Sequence, residues 1–372
     1  MATEQASRSW LENRLPACAA WRAVFSDYRS PREQPYLATL PALILGTAVL
    51  LALTGLVLGI YYVAQGGDAY NSIQYIRRGV NFGWLLQSLH ASGATMILAA
   101  AYLMLFRGIL TGEYRGAYDL AWFFKLNLFI LLLLAGWFGY VLTDGAVSAW
   151  SLQDTALAGL RLAGLGGLIA GWVFGGPAGA GTLGRMAVFH GVFGLLILLA
   201  ALAVIGANRL AAAAPGHRTV AFHPYYTAQH FVAFVVFALI FAVILFFLPH
   251  LGENLLNLAP ANPLVVPTAL TPPWYLLPFS ALSGVLPGGY GGIIAVVAAL
   301  AVLYALPWLD RTPAGRPPRA LHKFFVWVLA ADVIALALTA TPGAGSALLS
   351  GLFVAWYFVH FLIITPLTTG GV

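Results

Sequence analysis

NFGWLLQSLHASGATMILAAAYLMLFRGILTGEY, residues 81–114, is a long apolar run with a single histidine, His90, near its start. A second run, GTLGRMAVFHGVFGLLILLAALAVIGANR at 181–209, carries His190. Each exceeds the roughly 20 residues that cross a hydrocarbon layer. A charged group inside such a span costs roughly 2.5–3.5 kcal/mol by insertion scales, so an ionisable side chain there marks function. Two neutral imidazoles on facing helices can take both axial positions of a haem iron. Neither run holds a second histidine.

The composition sets the class. Of 372 residues, 61% are hydrophobic and 8% charged, with mean hydropathy +0.86. Soluble domains carry about 25% charged residues, so the chain reads as a polytopic membrane protein. The one cysteine, Cys18, excludes an intrachain disulfide and a CxxCH site for covalent haem. The first thirty residues lack the apolar core of a signal peptide. The pI near 9.5 reflects topology and does not point to nucleic acid.

Eight spans follow from hydropathy, at about 37–63, 84–107, 120–143, 186–208, 229–249, 289–308, 321–340 and 348–366. An even number puts both termini on one side. Basic residues cluster in the N-terminal arm (Arg8, Arg14, Arg22, Arg29, Arg32), after the second span (Arg107, Arg115, Lys125), after the fourth (Arg209, Arg218) and after the sixth (Arg311, Arg316, Arg319, Lys323). The other face has Arg77, Arg78, Arg161 and Arg185. The positive-inside rule therefore places both termini in the cytoplasm, in a bacterial inner membrane. Residues 8–30 read as an amphipathic helix on that surface. Residues 144–185, polar then Gly-rich, and the Pro-rich 250–288 form two long outer-side connections, and loops of that length tend to be functional.

Several stretches carry a resemblance. They are DAYNSIQYIRRGVNFGWLLQSLHASGATM (68–96), FRGILTGEY (106–114), FGYVL (138–142), FHPYYT (222–227) and PANPLVVPTALTPPWYLL (260–277). On these the chain resembles cytochrome b of the bc-type quinol-oxidising complexes, over nearly its whole length. The resemblance implies an all-α integral membrane fold of eight transmembrane helices, with haem held inside a bundle of the first four. It divides the chain into an N-terminal arm (1–36), a haem-binding four-helix domain (37–210), a cytoplasmic linker (211–228) and a C-terminal four-helix domain (229–372).

That family holds two haems with two histidines on each of the second and fourth spans, fourteen residues apart. Fourteen residues are about 21 Å of helix and close to four turns, so both fall on one face. The outer ligands align with His90 and His190, and Arg185 with a propionate partner. Fourteen residues on stand Met104 and Val204. Glycines on the first and third spans make room for the porphyrins. Gly55 and Gly139 are retained at the outer level, whereas Pro41 and Lys125 stand at the inner level. The resemblance therefore implies one haem b, ligated by His90 and His190 and cradled by Gly55 and Gly139. Lys125 reads as a lysine snorkelling to the cytoplasmic edge or as a filler of the lost site. His217, His223, His230, His250, His322 and His360 read as loop, interface or packing residues.

The quinone sites depart too. The family's Pro-Glu-Trp-Tyr element, whose carboxylate takes a quinol proton, reads Pro272-Pro273-Trp274-Tyr275 here, and its Pro-Trp-Gly-Gln reads Thr143-Asp144-Gly145-Ala146. Tyr140, Asp144, Trp274 and Tyr275 are the candidates for an outer quinone pocket, with Asp144 a substitute proton acceptor. On the cytoplasmic side Arg209 and His230 occupy the family's quinone-reducing positions and read as surface charges. Asp332 is the one deep acid, read as satisfied by packing or near the interface, so no carboxylate cluster suggests a transporter.

The chain is expected to pass electrons between a quinone, ubiquinone or menaquinone, and a partner redox subunit of the Rieske iron–sulfur or c-type cytochrome kind. It would do so without a complete transmembrane relay, and as a homodimer by resemblance. Two alternatives stay open. One is a membrane-anchoring structural subunit of a larger redox assembly. The other is a bc-type quinol oxidase with unusual inner haem ligation.

Overall fold

Apolar runs without interior glycine clusters or charges become helices in lipid, because every backbone N–H and C=O must be satisfied within the segment. The computed structural model of the chain describes residues 29–31, 35–179, 181–212, 219–286, 288, 290–313, 316–343 and 346–370. In chain order its helices are α1 (Leu40–Tyr61), the short α2 (Asp68–Gly79), α3 (Gly83–Thr111), α4 (Asp119–Val141), α5 (Ala146–Leu160), α6 (Leu165–Phe174), α7 (Thr182–Ala212), α8 (Tyr225–Phe247), α9 (Leu277–Ser283), α10 (Gly291–Leu309), α11 (Ala320–Thr339) and α12 (Ala347–Val359). A π-helical turn at His360–Ile364 leads from α12 into α13 (Thr365–Thr369). Eight helical segments among the described residues are long and apolar enough to cross a membrane, matching the eight spans expected.

The first four spans close into a ring. α1 packs on α3 and α7, and α4 packs on α7 and α3. His-bearing α3 and α7 are therefore diagonal partners across the bundle interior, and Gly-bearing α1 and α4 form the other diagonal. In the C-terminal half α11 packs on α9 and α12, and α8 lies against α3. Leu53, Leu56 and Ile60 of α1 and Phe231, Phe234 and Leu239 of α8 are exposed. Apolar patches of that size belong against lipid, not water.

Two features differ from the sequence reading. Residues 8–28 of the expected amphipathic helix, with Cys18, lie outside the described residues. Arg29–Pro31, at the end of that segment, is extended: as strand β1 it pairs antiparallel with β2 (Thr219–Ala221), placing Ser30 opposite Val220. The arm is thereby tied to the connection after α7. The second difference is the 144–185 connection, which folds as α5 and α6. Glycine disfavours helix by about 1 kcal/mol per residue, but here Val147, Leu152, Ala156, Ala170 and Phe174 bury against Phe138, Leu183 and Met186. A Cβ on Gly159 would come within 2.9 Å of the Ala170 side chain, so glycine permits the two helices to touch.

The two outer connections clasp each other. Gly145 and Pro260 form an isolated bridge, and the Ala146 amide donates to the Ala259 carbonyl at 3.0 Å. The first amides of a helix have no partner within it. In α5 those of Val147 and Ser148 donate to Asn257 Oδ1 at 2.9 and 2.8 Å, so a residue more than a hundred positions away caps the helix.

Candidate functional site

His90 and His190 meet in the interior of the four-helix ring, with ring centroids 6.0 Å apart and planes at 67°. Each ring is fixed through Nδ1 by a different helix. His190 Nδ1 lies 2.9 Å from the Ala135 carbonyl of α4, which can only accept, so Nδ1 carries the proton. His90 Nδ1 lies 3.0 Å from Thr54 Oγ1 of α1. The Thr54 hydroxyl gives its own proton to the Leu50 carbonyl at 2.8 Å, so it accepts from His90. With the proton on Nδ1, Nε2 of each ring is left unprotonated. A neutral imidazole held at Nδ1 with a free Nε2 is the form that ligates a metal.

Gly55 and Gly139 let the rings sit there. A Cβ on Gly55 would fall 2.9 Å from His90 Cε1, and one on Gly139 would fall 2.8 Å from His190 Cε1. No cluster of three or more His, Cys, Asp or Glu exists among the described residues. The donor set is two imidazoles, which suits a metal whose remaining ligands come from a macrocycle.

Fourteen residues further along α3 and α7 the interior is closed. Pro41, Met104, Lys125 and Val204 are all buried, and Met104 and Val204 belong to one continuous apolar core with Ile44, Ala101, Leu126, Ile197 and Ala201. Lys125 is 1% exposed, so it does not snorkel. Its Nζ bonds Glu113 Oε2 at 2.8 Å, and Arg107 Nη2 meets the other oxygen of Glu113 at 2.5 Å. Burial alone would raise the Glu113 carboxyl, but the charges of Lys125 and Arg107 hold it below the usual carboxylate range. Glu113 stands within the FRGILTGEY stretch, but its pairing with Lys125 and Arg107 carried no signal there.

Between the clasped outer connections lies a cavity of about 380 Å³, within the range of small-molecule sites. One wall is polar, with Tyr140, Ser151, Asp154 and Thr155. The other is mostly apolar, with Leu270, Pro272, Pro273, Leu276 and Phe279 beside Ser280 and Ser283. The Tyr140 hydroxyl and Ser151 Oγ are buried there, with Ser151 and Asn257 the side chains nearest the hydroxyl and no well-formed hydrogen bond among them.

The remaining sequence candidates are placed as follows. Asp144, at φ +49°, is buried and accepts from the Gly67 amide at 3.0 Å. Burial raises its carboxyl, partly offset by that bond. It does not line the cavity. Tyr275 packs on Gly136, and Trp274 on Gly252 and Tyr102; both stand behind the cavity wall, with Tyr102 donating to the Tyr275 carbonyl at 2.6 Å. Arg185 donates to the Phe174 carbonyl at 3.4 Å and covers Gly175 at the end of α6, where a cation is favoured. His230 sits within 2.8 Å of the Tyr226 carbonyl through Nδ1 and is packed by Phe222. Asp332 is buried with Oδ2 unpartnered, so it is not satisfied by packing.

The family model described as Cytochrome b/b6/petB matches residues 26–207, and that described as Cytochrome b(C-terminal)/b6/petD matches 260–359. The chain belongs to the cytochrome b family. Cytochrome b of Allochromatium vinosum is 32% identical to it, covering 95% of this chain and 93% of that protein. Cytochrome b of Rickettsia bellii is 33% identical, covering 96% and 92%. A solved structure titled hyperthermophilic respiratory Complex III superposes with a TM-score of 0.81 at 27% identity, covering 97% of this chain and 98% of that one. In this cytochrome b, both Nδ1 partners of the histidine pair and the Asn257 clasp escaped sequence reasoning.

Proposed function

We propose that the chain is the cytochrome b subunit of a respiratory complex of the complex III kind, carrying one haem b between His90 and His190 near the outer face. A single contrast carries the reading. At one level of the bundle two imidazoles face each other with free Nε2 atoms and glycines behind them. One 14-residue step away, the equivalent space is filled by Met104, Val204 and the Lys125–Glu113–Arg107 network.

A haem held there supplies reversible one-electron chemistry. The protein's own part is to fix both imidazoles in the ligating tautomer through Thr54 and the Ala135 carbonyl. The α3 and α7 side chains then close the interior, ending the electron route about 20 Å short of the second level. Electrons accordingly move between a quinone in the outer cavity and a partner on that face, an iron–sulfur or c-type haem subunit. With even-numbered spans and the basic residues on the opposite side, both termini are cytoplasmic.

Pro273 in place of a carboxylate supports a second reading, a membrane-anchoring subunit with no quinone chemistry. A pyridine haemochrome assay on the purified complex, with protein determination and correction for partner haems, separates them. One haem b per chain is expected. Two overturn the single-haem reading, and none favours the anchor.

A further inference from the structure

We infer that Asp154 on α5 is the proton acceptor for a hydroquinone bound in the outer cavity, in the role Pro273 cannot fill; this rests on the quinone reading above. Ser151, Asp154 and Thr155 stand at i, i+3 and i+4, so they share one helix face, and all three line the cavity. Asp154 is the only carboxylate lining it among the described residues. The Thr155 hydroxyl is committed to the Ser151 carbonyl at 2.7 Å, which leaves Asp154 as the group of this face able to take a proton. Two further groups are only weakly paired: the buried Tyr140 hydroxyl, beside Ser151 and Asn257, and Ser151 Oγ. Buried polar atoms are rarely left unsatisfied unless a ligand or water completes them.

A hydroquinone matches this arrangement. Its flat apolar ring suits the Leu270, Pro272, Pro273, Leu276 and Phe279 wall, and its hydroxyls suit the polar wall. Asp154 is also exposed to the outer side, so a proton taken inside the cavity has a route to water. Asp144, the other acid of this connection, is turned to the Gly67 amide. In the proposed step a quinol O–H bond breaks, its proton passes to an Asp154 oxygen, and one electron passes to a one-electron oxidant, an iron–sulfur or haem protein docked on the outer face. Asp154 releases the proton to water and takes the second, and the second electron passes to a second equivalent of the same docked one-electron oxidant, leaving the quinone.

The test uses the intact complex with wild type, Asp154→Asn, Asp154→Glu and, as a distant acid, Glu253→Gln. Asp154→Asn should lower kcat for quinol oxidation about 100-fold, the lower end of what a positioned base contributes, with KM little changed. Asp154→Glu should restore most of the rate, and Glu253→Gln should behave as wild type. Unchanged haem spectra verify folding. Wild-type turnover in Asp154→Asn would overturn this inference alone. A wild-type complex that does not oxidise quinol would overturn it together with the quinone reading.

Discussion

The tautomer of two imidazoles governs this site. An imidazole binds iron only through a free lone pair, and each of these rings gives its Nδ1 proton to an oxygen that cannot return one. Replacing His90 or His190 with Ala should abolish the b-type reduced-minus-oxidised spectrum. Met104→Ala, fourteen residues from His90, should leave that spectrum unchanged, because Met104 is core packing. A spectrum lost in Met104→Ala with the protein folded would show that a second site exists.

At the scale of elements, the outer connections owe their order to each other. α5 has no capping side chain of its own reaching Val147 and Ser148; Asn257 supplies it from the other loop. Removing a cap costs about 0.5–2 kcal/mol. Asn257→Ala should therefore loosen α5, seen as faster limited proteolysis between α4 and α7 with the haem spectrum retained. Because α5 carries the polar wall of the cavity, KM for quinol should rise in the same variant. Equal cleavage rates in variant and wild type would show that the clasp does not order α5.

For the whole molecule, the filled inner level is held by charge as well as by packing. Glu113 joins Lys125 and Arg107, and breaking a buried pair costs about 3–5 kcal/mol. Glu113→Gln should destabilise toward the low end of that range, since the Glu113 side chain is 20% exposed. The carboxyl is held below its ordinary range despite burial. Its contribution is therefore fully present above that ordinary range and is lost as the pH falls through the depressed folded value. Thermal melts of wild type and Glu113→Gln should differ at neutral pH and converge in strong acid. Parallel melting curves at all pH values would rule the network out as a stabilising element.

Hydropathy and spacing are local properties, and what depends on them was legible in the chain. Eight spans and the lone histidines His90 and His190 follow from hydropathy along the chain, while the matching glycines and the missing histidines at Met104 and Val204 are what the resemblance to the cytochrome b pattern implies. The snorkelling alternative for Lys125 did not survive, and the helices α5 and α6 within the 144–185 connection were not foreseen, because each depended on neighbours distant in sequence. Only the tertiary structure could bring Thr54 to His90 across 36 positions, Ala135 to His190 across 55 and Asn257 to Val147 across 110. It moved Asp144 away from the outer cavity and put Asp154 on its wall. The physical reason is that burial and periodicity act within a segment, whereas a hydrogen-bond partner is chosen by which helices the bundle sets side by side.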